Sequence, residues 1–260
     1  MELMKERILY SELVRYYDLI YSQKDYGAEA ARIKELIARY KKSPGNELLD
    51  VACGTGHHLK HLKDDFSCTG VDISDEMLMI ARGNVGEVDF QQSDMTSLEL
   101  GRQFDAITCL FSSIGYARTL SNLRKTMEGF ARHLKSGGVV LIEPWLTREV
   151  YRVGSPYMET YDGEEVKIAR LSVSRSDGDV SVIDFHYLIA EKDKGVKHFV
   201  DRHELGLFGV DETLEIMEDV GLQAQYLTEG LASRRGLYIG IKNKEIITNS
   251  YPQLTRNPVN

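Results

Sequence analysis

The sequence contains no run approaching ~18 uncharged apolar residues, so no helix in it is long and greasy enough to span a bilayer. Its first residues, Met1-Glu2-Leu3-Met4-Lys5-Glu6-Arg7, mix acids and bases with no apolar stretch behind them, and no secretory signal is expected there. There is no CxxC spacing. The three cysteines, Cys53, Cys68 and Cys109, are an odd number, which predicts a reducing, cytoplasmic setting. Excess positive charge is also missing: 32 Lys and Arg face 40 Asp and Glu, a net −8. The chain as a whole therefore repels a phosphodiester backbone, although a local basic pocket for one nucleotide is still allowed. Internal repeats and low-complexity tracts are absent. What is there is 260 residues, 42% hydrophobic and 28% charged, the profile of a folded globular protein with one core and an appended lobe.

Within residues 1–42 the apolar positions Ile33, Leu36, Ile37 and Tyr40 recur at helical spacing and predict a helical N-terminal cap, ended by Ser43-Pro44-Gly45-Asn46. Short apolar runs then alternate with helical segments. The runs are Leu48–Ala52, Cys68–Ile73, Val88–Gln91, Phe104–Phe111 and Val139–Ile142. The helices are His57–Lys63, Asp75–Arg82 and Leu120–Leu134, with Ser74 as a helix N-cap and Gly83 as a helix end. Such alternation predicts an α/β fold, a parallel sheet covered on both faces. Residues 150–208 break the rhythm. Lys167–Arg175, Val180–Glu191 and Val196–Leu207 are strand-like and joined by Asp/Gly turns, which predicts an inserted antiparallel β lobe. A helix Asp211–Val220 and strands Leu222–Thr228 and Gly236–Ile241 return to the main sheet. The core thus takes 43–149 and 209–243, and 244–260 is read as a loose polar tail.

The strongest local signal is Asp50-Val51-Ala52-Cys53-Gly54-Thr55-Gly56, a strand running into a glycine turn and a helix. A dinucleotide site wants a third small residue three positions after Gly56, and Leu59 stands there. What precedes the glycines is an acid, Asp50, which suits a cation better than a pyrophosphate. Asp72 ends the second strand, where a carboxylate can accept both hydroxyls of a ribose; by itself it can equally flank the helix begun by Ser74. Asp94-Met95 follows the third strand, suited to an adenine amino group and ring; by itself Asp94 can be a turn acid. Together, in order along the rim where open α/β sheets bind ligands, they describe an adenosine-bearing cation without phosphates, S-adenosylmethionine.

At these residues the chain resembles the class I S-adenosylmethionine-dependent methyltransferases. The likeness narrows at Tyr16–Tyr21, Lys24-Asp25-Tyr26, Phe104–Gly115 with its Phe-Ser-Ser-Ile-Gly, Gly137–Trp145 with its Glu-Pro-Trp, His186–Ala190 and Arg235–Tyr238. Over about residues 10–243 it resembles the TDP-amino-sugar N,N-dimethyltransferases of the desosamine and mycaminose type. The resemblance implies a Rossmann-like seven-stranded, mostly parallel sheet with one antiparallel strand and a small antiparallel β lobe. It also implies cofactor contacts from Tyr17, Tyr26, Ala52, Ile73 and Leu110 beside Asp50, Gly54, Gly56, Asp72, Asp94 and Met95, with Tyr17 and Tyr26 at the methionine end.

Methyl transfer to an amine needs collinear reactants and a deprotonated nitrogen. Tyr10, Tyr116, Glu143 and His186 are the candidates for handling that proton, Glu143 more as a hydrogen-bond acceptor for substrate. Each has a plainer reading: a pocket wall for Tyr116, a packing residue of the lobe for His186. Trp145, Arg170 and Arg235 are the substrate candidates, the two arginines for a diphosphate, against ordinary surface arginines. His57 and His61 are spaced i, i+4 as metal ligands on a helix can be, but no H-E-x-x-H motif is present and no metal is expected. No Asn/Asp-Pro-Pro-Tyr/Phe segment of nucleic-acid methyltransferases follows the fourth strand. The expected function is methylation of a small molecule, with the amino group of a nucleotide-activated deoxysugar as the expected acceptor, by a chain that can pair into a homodimer through its β lobe. The alternatives are another N or O acceptor, a nicotinamide dehydrogenase, and a non-catalytic cofactor-binding protein.

Overall fold

A computed structural model describes residues 14–231 and 235–243. In chain order the elements are α1 (Val14–Ile20), α2 (Tyr26–Tyr40), β1 (Glu47–Val51), α3 (His57–Leu62), β2 (Ser67–Asp72), α4 (Asp75–Val85), β3 (Asp89–Gln92), β4 (Phe104–Cys109), α5 (Leu120–His133) and β5 (Leu134–Ile142). Then follow β6 (Pro156–Asp162), β7 (Val166–Asp177), β8 (Val180–Glu191), β9 (Gly195–Gly206), α6 (Val210–Asp219), β10 (Leu222–Leu227) and β11 (Leu237–Lys242).

The main sheet has the order β10-β11-β5-β4-β1-β2-β3. Every pairing among β1–β5 is parallel, and β11 runs antiparallel to both β5 and β10. β1 lies between β2 and β4, so the connections leave it in opposite directions and open a crevice at its C-terminal end. One face of the sheet is covered by α2, α3 and α4 through Ile33, Leu36, Leu59, Leu62 and Leu78. The other is covered by α5 and α6 through Leu123, Met127, Phe130, Ile216 and Met217. Buried on both sides, the central strands read as continuous apolar runs, which is why the pattern was legible.

The second sheet, β6-β7-β8-β9, is antiparallel throughout. Its inner face packs on α1: Tyr16 and Ile20 meet Ile168, Tyr187 and Ile189. Two details differ from the sequence reading. β6 is an additional strand, hidden because its residues are mostly exposed and carry little apolar alternation. α4 passes Gly83 and stops at Gly86, which takes φ 76° while Gly83 keeps helical backbone. Gly83 costs the helix a little propensity, but only the left-handed conformation at Gly86 turns the chain out of it. Ser74 caps the other end, its side chain accepting from Met77 N at 3.1 Å.

Candidate active site

The crevice begins at the glycine turn. Ala52, Gly54 and Gly56 all take positive φ, 57°, 55° and 80°. A Cβ on Gly56 would sit 2.6 Å from Val85, so this glycine lets α3 and α4 close together. A Cβ on Gly54 would meet nothing within 4 Å. It would stand in open space at the mouth of the crevice, so Gly54 keeps that space clear for whatever approaches the turn.

Asp50 lies behind the turn, 1% exposed. Thr108 Oγ1 donates to its Oδ1 at 2.7 Å, while Oδ2 is buried with no hydrogen-bond partner. Burial pushes its carboxyl up to about 6, against the pull of nearby His58 and the Thr108 bond. Asp105, another buried carboxylate, shows the contrast. It sits at the other end of its strand and is saturated by Gly45 N, Glu47 N and Lys135 Nζ, a purely structural knot. Asp50 instead lines a cleft, together with Tyr17, Tyr26, Ala52, Gly54, His58 and Leu110. A buried acceptor of this kind is costly unless a donor or cation arrives. The unpartnered acceptor of Asp50 therefore fits the ammonium group at the amino-acid end of S-adenosylmethionine.

Asp72 accepts from Gly54 N at 2.8 Å and Ser74 N at 2.9 Å, one bond to each carboxylate oxygen. It thus organises the glycine turn. Beside it Ile73 is 37% exposed, an apolar side chain on the open rim. Asp94 is exposed and caps the short turn Met95–Ser97, its Oδ1 accepting from Thr96 N at 2.8 Å; Met95 leans on the core below. The histidines near the turn are taken up by carboxylates: His57 lies 3.0 Å from Asp18, and His58 2.7 Å from Glu29.

A larger cavity of about 570 Å³ opens between the main sheet and the lobe, within the size range of small-molecule sites. It adjoins the cleft: Tyr17, Phe111 and Ser113 line both. The Phe-Ser-Ser-Ile-Gly segment forms the join. Phe111 and Ser112 take φ 51° and 66°, strained for non-glycine residues. Glu143 holds this turn, accepting from Phe111 N at 2.7 Å, and Ser112 Oγ donates to Pro144 O at 3.0 Å. Glu143 is wholly buried and lines neither space, so it positions the turn rather than meeting substrate.

Among the other residues singled out by sequence, Tyr116, Trp145, Arg170 and Arg235 all line the large cavity. Arg170 is only 4% exposed; it donates to the Tyr21 hydroxyl at 2.7 Å and its Nε is buried without a partner. Arg235 donates to Ser112 Oγ at 2.5 Å and lies over the Trp145 ring at 5.0 Å. Tyr10 lies outside the described residues.

His186 is a correction. It is exposed on the outer face of the lobe, stacked on His198 at 5.4 Å, and does not reach the cavity. In β8 the odd positions, Ile183, Phe185, Tyr187 and Ile189, turn inward. The histidine at the cavity is His203 of β9, joined to Tyr116 and Asp201. The alternation of β8 gave its two faces; a heavier load of large apolar residues on the odd one was the available signal for which face is inside.

The sequence and the fold have known relatives. A family model described as a methyltransferase domain matches residues 48–138. The chain is 39% identical over 228 residues to the dTDP-3-amino-3,4,6-trideoxy-alpha-D-glucopyranose N,N-dimethyltransferase of Streptomyces venezuelae, covering 86% of this chain and 95% of the relative. The crystal structure of Streptomyces venezuelae DesVI superposes with a TM-score of 0.83 at 38% identity, over 88% of this chain and 98% of that one. CalS10, an amino pentose methyltransferase from Micromonospora echinaspora solved with SAM bound, superposes with a TM-score of 0.77 at 29% identity, over 85% and 92%.

Proposed function

The chain belongs to the S-adenosylmethionine-dependent methyltransferases, and from that premise we propose that it methylates the amino group of a nucleotide-activated deoxy-amino sugar. The observation that carries this reading is Arg170. A guanidinium buried to 4% exposure, ringed by Tyr21, Tyr157 and Phe185, with one nitrogen unpartnered and Glu159 no nearer than 4.0 Å, is an undercompensated cation facing a cavity. In a chain of net charge −8 it has no use in attracting polyanions generally. It suits a small anion that enters the cavity, and the fork geometry of guanidinium suits phosphate oxygens. Arg235, at the same cavity, is the second candidate.

When bound, S-adenosylmethionine supplies a methyl group on a sulfonium, which an amine displaces in line. The residues assigned to holding it are Asp50 and Tyr17, with Tyr26 and Leu110 lining the cleft, Gly54 clearing the approach, Asp72 and Ile73 at the ribose and Asp94-Met95 at the base. The chain's part in the chemistry is then to fix two ligands across the Phe111–Ser113 join, where positioning alone supplies much of the rate.

A screen of aminated nucleotide sugars with S-adenosylmethionine, read by mass spectrometry, is expected to give methylated products. The cofactor at ~100-fold its Kd is expected to stabilise the protein by ~2.7 kcal/mol, with no shift from NAD. A shift with NAD alone would point to the dehydrogenase reading. Failure of TDP to bind at millimolar concentration would remove the sugar-nucleotide class.

The lobe's outer face carries Met158, Leu171, Val173, Leu188, Val196 and Val200, all more than a third exposed. Patches spread over several strands are rarely left open to water. We infer that a second copy covers this one, since a twofold axis lets a single patch serve both sides. Light scattering should give a dimer that Leu188→Asp converts to monomer; a monomeric parent protein refutes it.

A further inference from the structure

We propose that Tyr116, His203 and Asp201 form a proton relay that deprotonates the acceptor amine. The inference rests on the reading above that the acceptor is an amine.

Asp201 and His203 are two residues apart on the inner face of β9, opposite Phe185 and Ile183 of β8. That spacing puts both side chains on one face of a strand. His203 Nε2 lies 2.6 Å from Asp201 Oδ2, and its Nδ1 lies 2.6 Å from the Tyr116 hydroxyl. Asp201 is wholly buried and His203 nearly so, while Tyr116 and His203 both line the large cavity. A carboxylate only accepts, so Nε2 carries the hydrogen of that bond. With the imidazole neutral, the resting state of the relay, Nδ1 is then the acceptor for the phenol proton. The order of carboxylate, imidazole and hydroxyl, the last presented to a substrate cavity, is the arrangement by which acid–base triads move protons.

The plainer role is to pin the turn Ser113–Ala117 to the lobe. That docking is already secured. Gly115 packs so close to β9 that a Cβ on it would lie 2.9 Å from Leu205, and Arg118 pairs with Glu204 at 2.5 Å. Two apolar residues would fill the positions of His203 and Asp201 at less desolvation cost. The location of Tyr116 also suits the reaction. Tyr17 lines both the cleft at the glycine turn and the cavity that Tyr116 lines.

The step balances within the protein and the substrate. One N–H bond of the acceptor ammonium breaks and its electron pair stays on nitrogen as the nucleophilic lone pair. The proton joins the Tyr116 oxygen as the phenol's own proton crosses to His203 Nδ1. The positive charge moves from ammonium to an imidazolium held by Asp201. After product leaves, the proton returns by the same path to water in the cavity. The other ionisable groups around this cavity include Tyr17 and Tyr21 from the N-terminal segment, Tyr151 and Arg152 before β6, Arg170 from β7 and Arg235 before β11, with Tyr187 of β8 near Asp201. Glu159 of β6 accepts from the Tyr157 hydroxyl, and Lys24 is engaged by Glu29. Burial pushes Tyr17 and Tyr187 up, away from the neutral range.

The test has two arms on the full chain. In the first, kcat/KM for an aminated TDP-sugar is measured against pH for the parent protein, Tyr116→Phe, His203→Gln and Asp201→Asn. Each variant is expected to be ~10²-fold slower near neutral pH. The deficit should shrink as pH passes the pKa of the free amine, where water supplies the neutral form. Cofactor affinity should not change. Superimposable pH profiles overturn the relay. In the second arm, ¹⁵N-histidine NMR of the ligand-free protein should show His203 with hydrogen on Nε2 and an accepting Nδ1 whose resonance moves in Tyr116→Phe. Hydrogen on Nδ1, or no response to Tyr116→Phe, overturns the relay even where no sugar serves as substrate. A parent protein that methylates none of the sugars but passes the NMR arm refutes the substrate reading alone.

Discussion

Asp50→Asn should cost the enzyme its cofactor and yet make the cofactor-free protein more stable at neutral pH. Burial raises the folded-state carboxyl of Asp50 to about 6, against ~3.9 for an exposed aspartate. Between those values the folded state holds a proton that the unfolded state has lost. The stabilisation from this group is therefore full below about pH 4 and is lost as pH rises through about 6. By pH 8 the ionised, half-partnered carboxylate costs up to about 3 kcal/mol. Asparagine keeps an acceptor for Thr108 and carries no charge, so it recovers much of that. Urea unfolding at pH 8 and at pH 4 should show the variant ahead only at the higher pH.

The same carboxylate is what greets a cation. Removing its charge should weaken S-adenosylmethionine by ~1.5–3 kcal/mol, the range for hydrogen bonds to charged groups. Because binding favours the ionised form, affinity in the parent protein should fall as pH drops below about 6. Calorimetry in buffers of different ionisation enthalpy should detect the proton released there. A variant that binds as tightly as the parent protein removes Asp50 from the cofactor site.

Arg170→Met should separate substrate binding from stability in the same manner. The guanidinium is held by a 2.7 Å bond to Tyr21, by three aromatic rings and by the neighbouring Tyr187 hydroxyl, all neutral partners, with a carboxylate only at 4.0 Å. Replacing a buried, poorly compensated charge by an apolar side chain of similar length is neutral to stabilising. Unfolding of the free protein should therefore be unchanged or shifted upward. Affinity for TDP should drop by ~2–3 kcal/mol, since bonds between guanidinium and phosphate are among the stronger ones. Arg170→Lys should restore little of it, because an ammonium does not reproduce the planar fork. Cofactor affinity, measured in parallel, should stay where it was. TDP binding that survives Arg170→Met places the diphosphate elsewhere.

Both predictions rest on groups the fold has left incompletely satisfied, and that incompleteness is a tertiary property. The sequence by itself determined the parallel core. Strands buried on both faces must be apolar throughout, and the helices between them must carry one apolar stripe, so Leu48–Ala52, Phe104–Phe111 and Leu120–Leu134 declare themselves locally. It also determined the glycine turn and its acids, because positive φ at residues 54 and 56 and the carboxylates at the strand ends are properties of short segments.

Tertiary structure decided what each acid does. Asp72 and Asp94 were both expected as ligands of a nucleoside. In the fold Asp72 braces Gly54 and Ser74 while Asp94 caps its own turn, and of these three acids it is Asp50 whose buried Oδ2 has no partner among the described residues. Which partners a carboxylate meets depends on chain segments brought together by folding, Thr108 to Asp50 across 58 residues for example. The lobe gives the sharpest case. Period two divides β8 and β9 into two sets of side chains but says nothing about which set packs on α1. That choice put His186 in water and drew His203 and Asp201 to Tyr116, a cluster whose first and last members stand 87 residues apart.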